Sequence, residues 1–292
     1  MADLYIIGVL LALLSGTCNG FGNIFQKKVI NKTRITGDKF VRSPLWWMGF
    51  SIGMIGGSAL FIIAQMFIGP SLVPGLVACG LLTVLTIGSV KLLGEKLDRL
   101  EIFGILLLAL AIFLLAFSGL DIPSSTIDLT DLDLAIRVAI FTSIFSVMWI
   151  LTFLWARKLK LRKGTLLALS TGFAYGISNL WAGLIATTIN PILSLSANIM
   201  ELMYFIFALI ILFISNFFGI WQTNEAYKYA QASNVQPLIN IINQVAPIFV
   251  YFLVFMRTST FGPSLLIIAG CGTIILSGFL LGRRQGELET IK

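Results

Sequence analysis

Apolar residues in this chain run in long blocks, and polar residues gather in short stretches between them. Nine blocks stand out, at about 4–26, 45–67, 71–91, 101–118, 136–155, 165–187, 200–223, 234–256 and 264–282. Each is close to the roughly 20 residues that an α-helix needs to cross a bilayer core. The pattern therefore predicts an all-α integral membrane protein with nine transmembrane helices. The first block could pass for a cleaved leader, but no basic segment precedes it and its cations, Lys27 and Lys28, follow it. That arrangement predicts a retained span with the N-terminus outside.

Charge supports the count. Placing the N-terminus outside and alternating sides puts 18 of the 20 Lys and Arg in inner segments, leaving Arg137 and Arg257 outside. The outer loop 119–133 holds Asp121, Asp128, Asp131 and Asp133 and no cation. This is the distribution of a multi-pass protein with positive charge inside. One span more or fewer would reverse every later loop.

Composition agrees. Of 292 residues 58 % are hydrophobic and 11 % charged, against roughly 25 % charged in a soluble domain. The loops are too short for a soluble ATPase module, and no P-loop pattern occurs. The net charge of +7 follows from the span ends, so nucleic acid is not an expected partner. His is absent, which removes the commonest metal ligand and proton shuttle. Cys18, Cys79 and Cys271 each lie in an apolar block and read as small packing residues. The features of a membrane enzyme are missing, and no cofactor is expected.

The blocks contain a repeat. Ser15-Gly16-Thr17-Cys18-Asn19-Gly20-Phe21-Gly22-Asn23 aligns with Thr171-Gly172-Phe173-Ala174-Tyr175-Gly176-Ile177-Ser178-Asn179 at an offset of 156, and Pro74 with Pro237 at 163. Spans one to four then correspond to spans six to nine, and the fifth span, as connector, inverts the second copy. The predicted organisation is a first four-helix repeat at 1–118, an acidic outer loop and connecting helix at 119–164, and a second, inverted four-helix repeat at 165–292. Inverted repeats are common in secondary transporters, whose sites lie at the repeat interface.

The architecture resembles the drug/metabolite transporter (EamA-like) superfamily, and within it the NIPA-like magnesium transporters. The resemblance rests on several segments in order: Gly22-Asn23-Ile24-Phe25-Gln26-Lys27-Lys28, Trp46-Trp47-Met48-Gly49 and Leu72-Val73-Pro74-Gly75-Leu76, then Leu93-Gly94-Glu95-Lys96-Leu97, Asn224-Glu225-Ala226-Tyr227 and Val235-Gln236-Pro237. It implies alternating-access transport of a small solute, with magnesium or another divalent cation first and a small organic metabolite as the alternative. The family has an acidic residue where Gly57 aligns, an Asn at Leu60 and a Lys at Leu184. A plasma-membrane location is expected. The expected partners are the lipid bilayer, the solute or divalent cation and, at most, a second copy in a homodimer.

Burying an unpaired amide costs a few kcal/mol, so polar side chains inside spans need partners or water. The candidate substrate-binding residues are Asn19, Asn23, Tyr175, Asn179, Gln222, Gln236, Asn240, Asn243 and Gln244. Asn19 and Asn23 share a helix face by their spacing, as do Gln236, Asn240 and Asn243. The alternative is interhelical glue, the reading that best suits Asn216. Amide oxygens are neutral ligands for a partly hydrated magnesium ion, so Asn240, Asn243 and Glu201 are the candidate metal residues. Amide N–H groups suit a carboxylate, phosphate or sugar equally. Glu95 is expected to pair with Lys96 or Arg99 or to cap structure. Without a mid-span acid or His, uniport or exchange fits better than proton coupling.

Overall fold

The computed structural model describes residues 2–36, 40–68, 73–95, 97–118, 128–159, 162–256 and 259–290. Among them lie nine long helices and no strand: α1 (Ala2–Thr36), α2 (Pro44–Ile68), α3 (Val73–Leu93), α4 (Arg99–Phe117), α5 (Leu132–Lys158), α6 (Lys163–Leu193), α7 (Ile199–Ala226), α8 (Ala232–Val254) and α9 (Phe261–Thr290). Each coincides with one apolar block. Seven of them, all but α4 and α6, are long and apolar enough to cross a membrane. The tip of the acidic loop, residues 119–127, and Lys160 lie outside the described residues.

Helix ends follow local rules. Asp98 and Glu101 form a capping box at α4, with the Asp98 N–H donating to Glu101 Oε2 at 2.7 Å. Asn198 and Glu201 do the same at α7, at 2.7 and 2.8 Å. These pairs satisfy backbone N–H groups that the first helical turn leaves open. Gly94 ends α3 at φ +68°, a conformation that L side chains rarely adopt.

Two helices contain a wider π turn. In α2 it spans Ser51–Gly57, a stretch with three glycines, and Ser15 Oγ of α1 donates to Gly57 O at 2.7 Å. In α8 it spans Val250–Val254, just beyond Pro247, whose missing N–H breaks the regular ladder.

Helices α1–α3 form one group and α6–α8 another, with α5 packed on α6. Within the first, α1 packs on α2 and α3; within the second, α6 packs on α7 and α8; α4 and α9 pack chiefly on each other. The contacts at α1 and α6 are close because glycine faces them. A methyl on Gly16 would fall 2.1 Å from Val77 O and 2.8 Å from Leu81 N of α3. One on Gly172 would fall 2.7 Å from Ile242 Cβ and 2.9 Å from Ile239 O of α8. Gly22 and Gly49 approach equally closely between α1 and α2. The exterior is apolar: Ile140, Ile144 and Leu151 on α5 and Ile206, Ile210 and Phe217 on α7 are all exposed.

Gly16→Ala should therefore lower stability by about 1–3 kcal/mol, the usual cost of overpacking, because backbone on α3 cannot yield as a side chain can. Gly56, which has open space around it, supplies the control: Gly56→Ala should melt with the parent protein in detergent.

Candidate functional site

Between the two groups lies a cavity of about 280 Å³, at the small end of the range for ligand sites. It is bounded by α1, α2 and α3 on one side and by α6, α7 and α8 on the other. Seven of the nine candidate residues line it: Asn19, Asn23, Tyr175, Asn179, Gln236, Asn240 and Asn243. Apolar side chains complete the lining, among them Met54, Phe61 and Ile62 of α2 and Leu212, Phe213 and Ile220 of α7. Among the described residues no lining side chain is charged.

The amides are held from several helices. Asn179 Nδ2 of α6 donates to Asn243 Oδ1 of α8 at 2.8 Å. An amide offers two N–H donors and a two-lone-pair acceptor, so this bond leaves capacity on both residues. Asn216 Nδ2 donates to Ser178 Oγ at 2.7 Å and to Leu212 O at 2.9 Å. It acts as interhelical glue and also lines the cavity. Gln236 Nε2 donates to the Tyr227 hydroxyl at 2.7 Å. Burial holds that phenol above its ordinary range, so it stays protonated. Asn240 differs from these. It is 4 % exposed, and its Nδ2 has no hydrogen-bond partner.

Asn19 owes its place to glycine: a methyl on Gly57 would lie 2.6 Å from Asn19 Oδ1. The position where the resembling family carries an acid is thus, in this chain, the space that the Asn19 amide needs.

The other candidates sit elsewhere. Gln222 Oε1 accepts from Trp149 Nε1 and Ser170 Oγ, each at 3.0 Å, and so ties α5, α6 and α7 together. Gln244 Nε2 donates to Pro74 O at 3.2 Å, joining α8 to α3. Glu201 is engaged in the α7 capping box and does not line the cavity. Among the described residues no group of three or more His, Cys, Asp or Glu gathers as a metal site. Gln26, Ser58 and Ser178 line the cavity although their pattern did not single them out as candidates. Ser178 was legible as the neighbour of Asn179, and Gln26 as the residue one turn beyond Asn23.

Glu95 takes the capping role. Its carboxylate accepts from the backbone N–H of Ala232 at 2.9 Å and of Ser233 at 3.1 Å, at the N-terminus of α8. The left-handed Gly94 turns the chain at this point, and the positive end of α8 favours the charge.

Comparisons with protein-family models, with curated proteins and with solved structures find no match.

Gln222→Leu should lower stability by about 1–3 kcal/mol, the cost of orphaning buried donors, while solute-induced shifts in melting temperature keep their size. A loss of those shifts in a variant that is otherwise folded would place Gln222 in the site after all.

Proposed function

We propose that the chain is an integral membrane carrier of the drug/metabolite transporter type, moving a small solute by alternating access through the cavity between its two groups of helices. The observation that carries this reading is an amide-lined chamber at the junction, with Asn240 in its wall and the buried Asn240 Nδ2 without a partner. A purely structural subunit has no use for a buried donor left without a partner.

Nine spans, N-terminus outside and C-terminus inside, and an inverted repeat belong to the same proposal. The paired packing supports the repeat. Gly16 meets Val77 and Leu81, while Gly172 meets Ile239 and Ile242. Gly20 meets Val84, while Gly176 meets Ala246. Offsets of 156 on one helix and 163 on its neighbour relate the members of these pairs to within two residues. The exposed apolar faces of α5 and α7 suit lipid, and the plasma membrane is the proposed location.

The lining favours a neutral, polar solute that both donates and accepts hydrogen bonds and has an apolar side. A charged solute would lose its hydration with no opposite charge to receive it. Magnesium, the substrate implied by the family resemblance, is the second reading. It would travel with most of its water shell, touching amide oxygens only. A thermal-shift panel on the purified protein separates the two. Polyols, sugars, amides and nucleosides should raise the melting temperature under the first reading, and divalent cations under the second.

Asn240→Leu tests the site itself. Transport should be abolished while the melting temperature stays nearly unchanged, because the amide makes no bond that the protein would lose. If Asn240 were helix glue, stability should instead fall by about 0.6–2 kcal/mol with transport per folded molecule intact.

Topology has its own check in cells, with the native cysteines replaced. Cysteine at Asn190 should react with an impermeant thiol reagent added outside, and cysteine at Lys158 should not. Outside labelling at position 158 would rule out the proposed orientation.

A further inference from the structure

The two ends of the cavity are built differently. At the end where α1 carries its basic residues, polar contacts bind one helix group to the other. Lys27 is 5 % exposed, and its Nζ donates to Tyr227 O at 2.6 Å and Ala230 O at 2.7 Å. These carbonyls lie at the C-terminal end of α7, where the helix dipole favours a cation. Asn224 Nδ2 of α7 donates to Gln26 Oε1 of α1 at 3.0 Å, and Trp46 Nε1 of α2 donates to Asn224 Oδ1 at 3.2 Å. Glu95 caps α8, and Glu101 Oε1 accepts from Asn234 Nδ2 at 2.8 Å. The short connector between α7 and α8 is therefore gripped at both poles by the first group, by Lys27 at its negative end and Glu95 at its positive end.

The opposite end holds an anomaly. Gln65 of α2 is 1 % exposed, and neither its Nε2 nor its Oε1 has a hydrogen-bond partner. It follows the cavity-lining Ser58, Phe61 and Ile62 at spacings of seven, four and three, which places all four on one helix face. Phe67 and Ile68, just beyond it, lie against Gly8 near the start of α1. Gln65 thus stands between the cavity and the end of the molecule where α1 begins. There the groups meet through apolar side chains, with Ile62 packed on a cluster that includes Leu184 and Ile185. A fully buried amide with no partner is unfavourable in a sealed core. It is sustainable where water or a passing solute supplies the missing bonds.

We infer that solute reaches the cavity past Gln65, between α2 and α6, while the Lys27 clamp keeps the other end shut. The inference rests on the carrier reading and adds to it a route, a gate and a residue that meets solute before the cavity does. Release of the Lys27 clamp is then the step that exposes the cavity to the other side. Apolar contacts at the Gln65 end can slide, whereas the clamp must trade its hydrogen bonds for water.

The test is thiol accessibility in the full-length chain, with Cys18, Cys79 and Cys271 replaced, reconstituted in sealed vesicles and probed with a charged, impermeant methanethiosulfonate. Ile24→Cys is the sealed control, since Ile24 is 0 % exposed against Leu85 and its neighbours. Both positions are buried in the shut state, and opening of the proposed route exposes position 65 but not position 24. Gln65→Cys should therefore react faster than the control from the side of the α1 N-terminus. Adding Lys27→Met should slow that reaction and speed labelling of Asn23→Cys from the opposite side. If Gln65→Cys does not fold, Ser58→Cys and Phe61→Cys report on the same face. Reaction no faster than at Ile24→Cys, or rates indifferent to Lys27→Met, would overturn the route. The outcome is separable from that of the carrier reading. Solute-induced melting shifts with an unreactive Gln65→Cys would sink the route alone. A reactive Gln65→Cys with no solute shifting the melting temperature would keep the route and remove the carrier.

Discussion

A buried amide must find a hydrogen-bond partner, and in this chain that requirement decides which helices touch and where they part. Charged residues are scarce and lie mostly at helix ends, so amides and hydroxyls supply most of the directional contacts between helices. Gln222 draws α5 and α6 onto α7. Asn224 draws α1 and α2 onto α7, and Gln244 draws α8 onto α3. A bond of this kind contributes only about 0.6–2 kcal/mol between helices in lipid, but losing one partner leaves a buried group that costs at least as much. Position is thus enforced more by the penalty for misplacement than by the strength of any bond. Where the network is incomplete, at Asn240 and Gln65, the same logic turns an omission into a functional signal.

Close backbone approach is the second constraint, and it serves the first. Gly16, Gly22, Gly49 and Gly172 let helices come within reach of short amide side chains. An Asn extends only a few bonds from its backbone, so Asn19 can face the chamber only because α2 approaches it with Gly53 and Gly57. The π turn at Ser51–Gly57 belongs to this arrangement. It turns the Gly57 carbonyl to Ser15 and leaves room at Gly57 for Asn19.

The helices were legible because the length and hydropathy of an apolar block translate directly into a long helix. The amide face of α8 was legible too, since spacings of four and three fix a face whatever packs against it. What a linear pattern lacks is the identity of the neighbour. Gln222 and Asn243 carry the same amide chemistry, yet one meets Trp149 and Ser170 while the other meets Asn179 at the chamber. Glu201, a candidate metal residue by its sequence, is spent on Asn198 three residues away, a pairing that the Asn-x-x-Glu spacing could have revealed. Gln65 was passed over because it is the only amide in its apolar block. Its significance lies in having no partner, which only coordinates can establish.

These packing demands also act against charge at two positions, one on α2 and one on α6. An acid at position 57, as in the family that the chain resembles, would need the volume that the Asn19 amide fills. A cation at position 184 would replace Leu184, which is 1 % exposed in the core of α6. Neither charge fits without rebuilding the contact between α1 and α2 or the interior of α6. A site lined by amides discriminates on other grounds than a charged one. Long-range attraction gives way to the count and direction of hydrogen bonds, which reject a solute lacking the matching group by leaving buried donors such as Asn240 Nδ2 unmet. In the proposed carrier, specificity is set by shape and hydrogen-bond pattern, while the buried Lys27 ammonium is spent on the Tyr227 and Ala230 carbonyls.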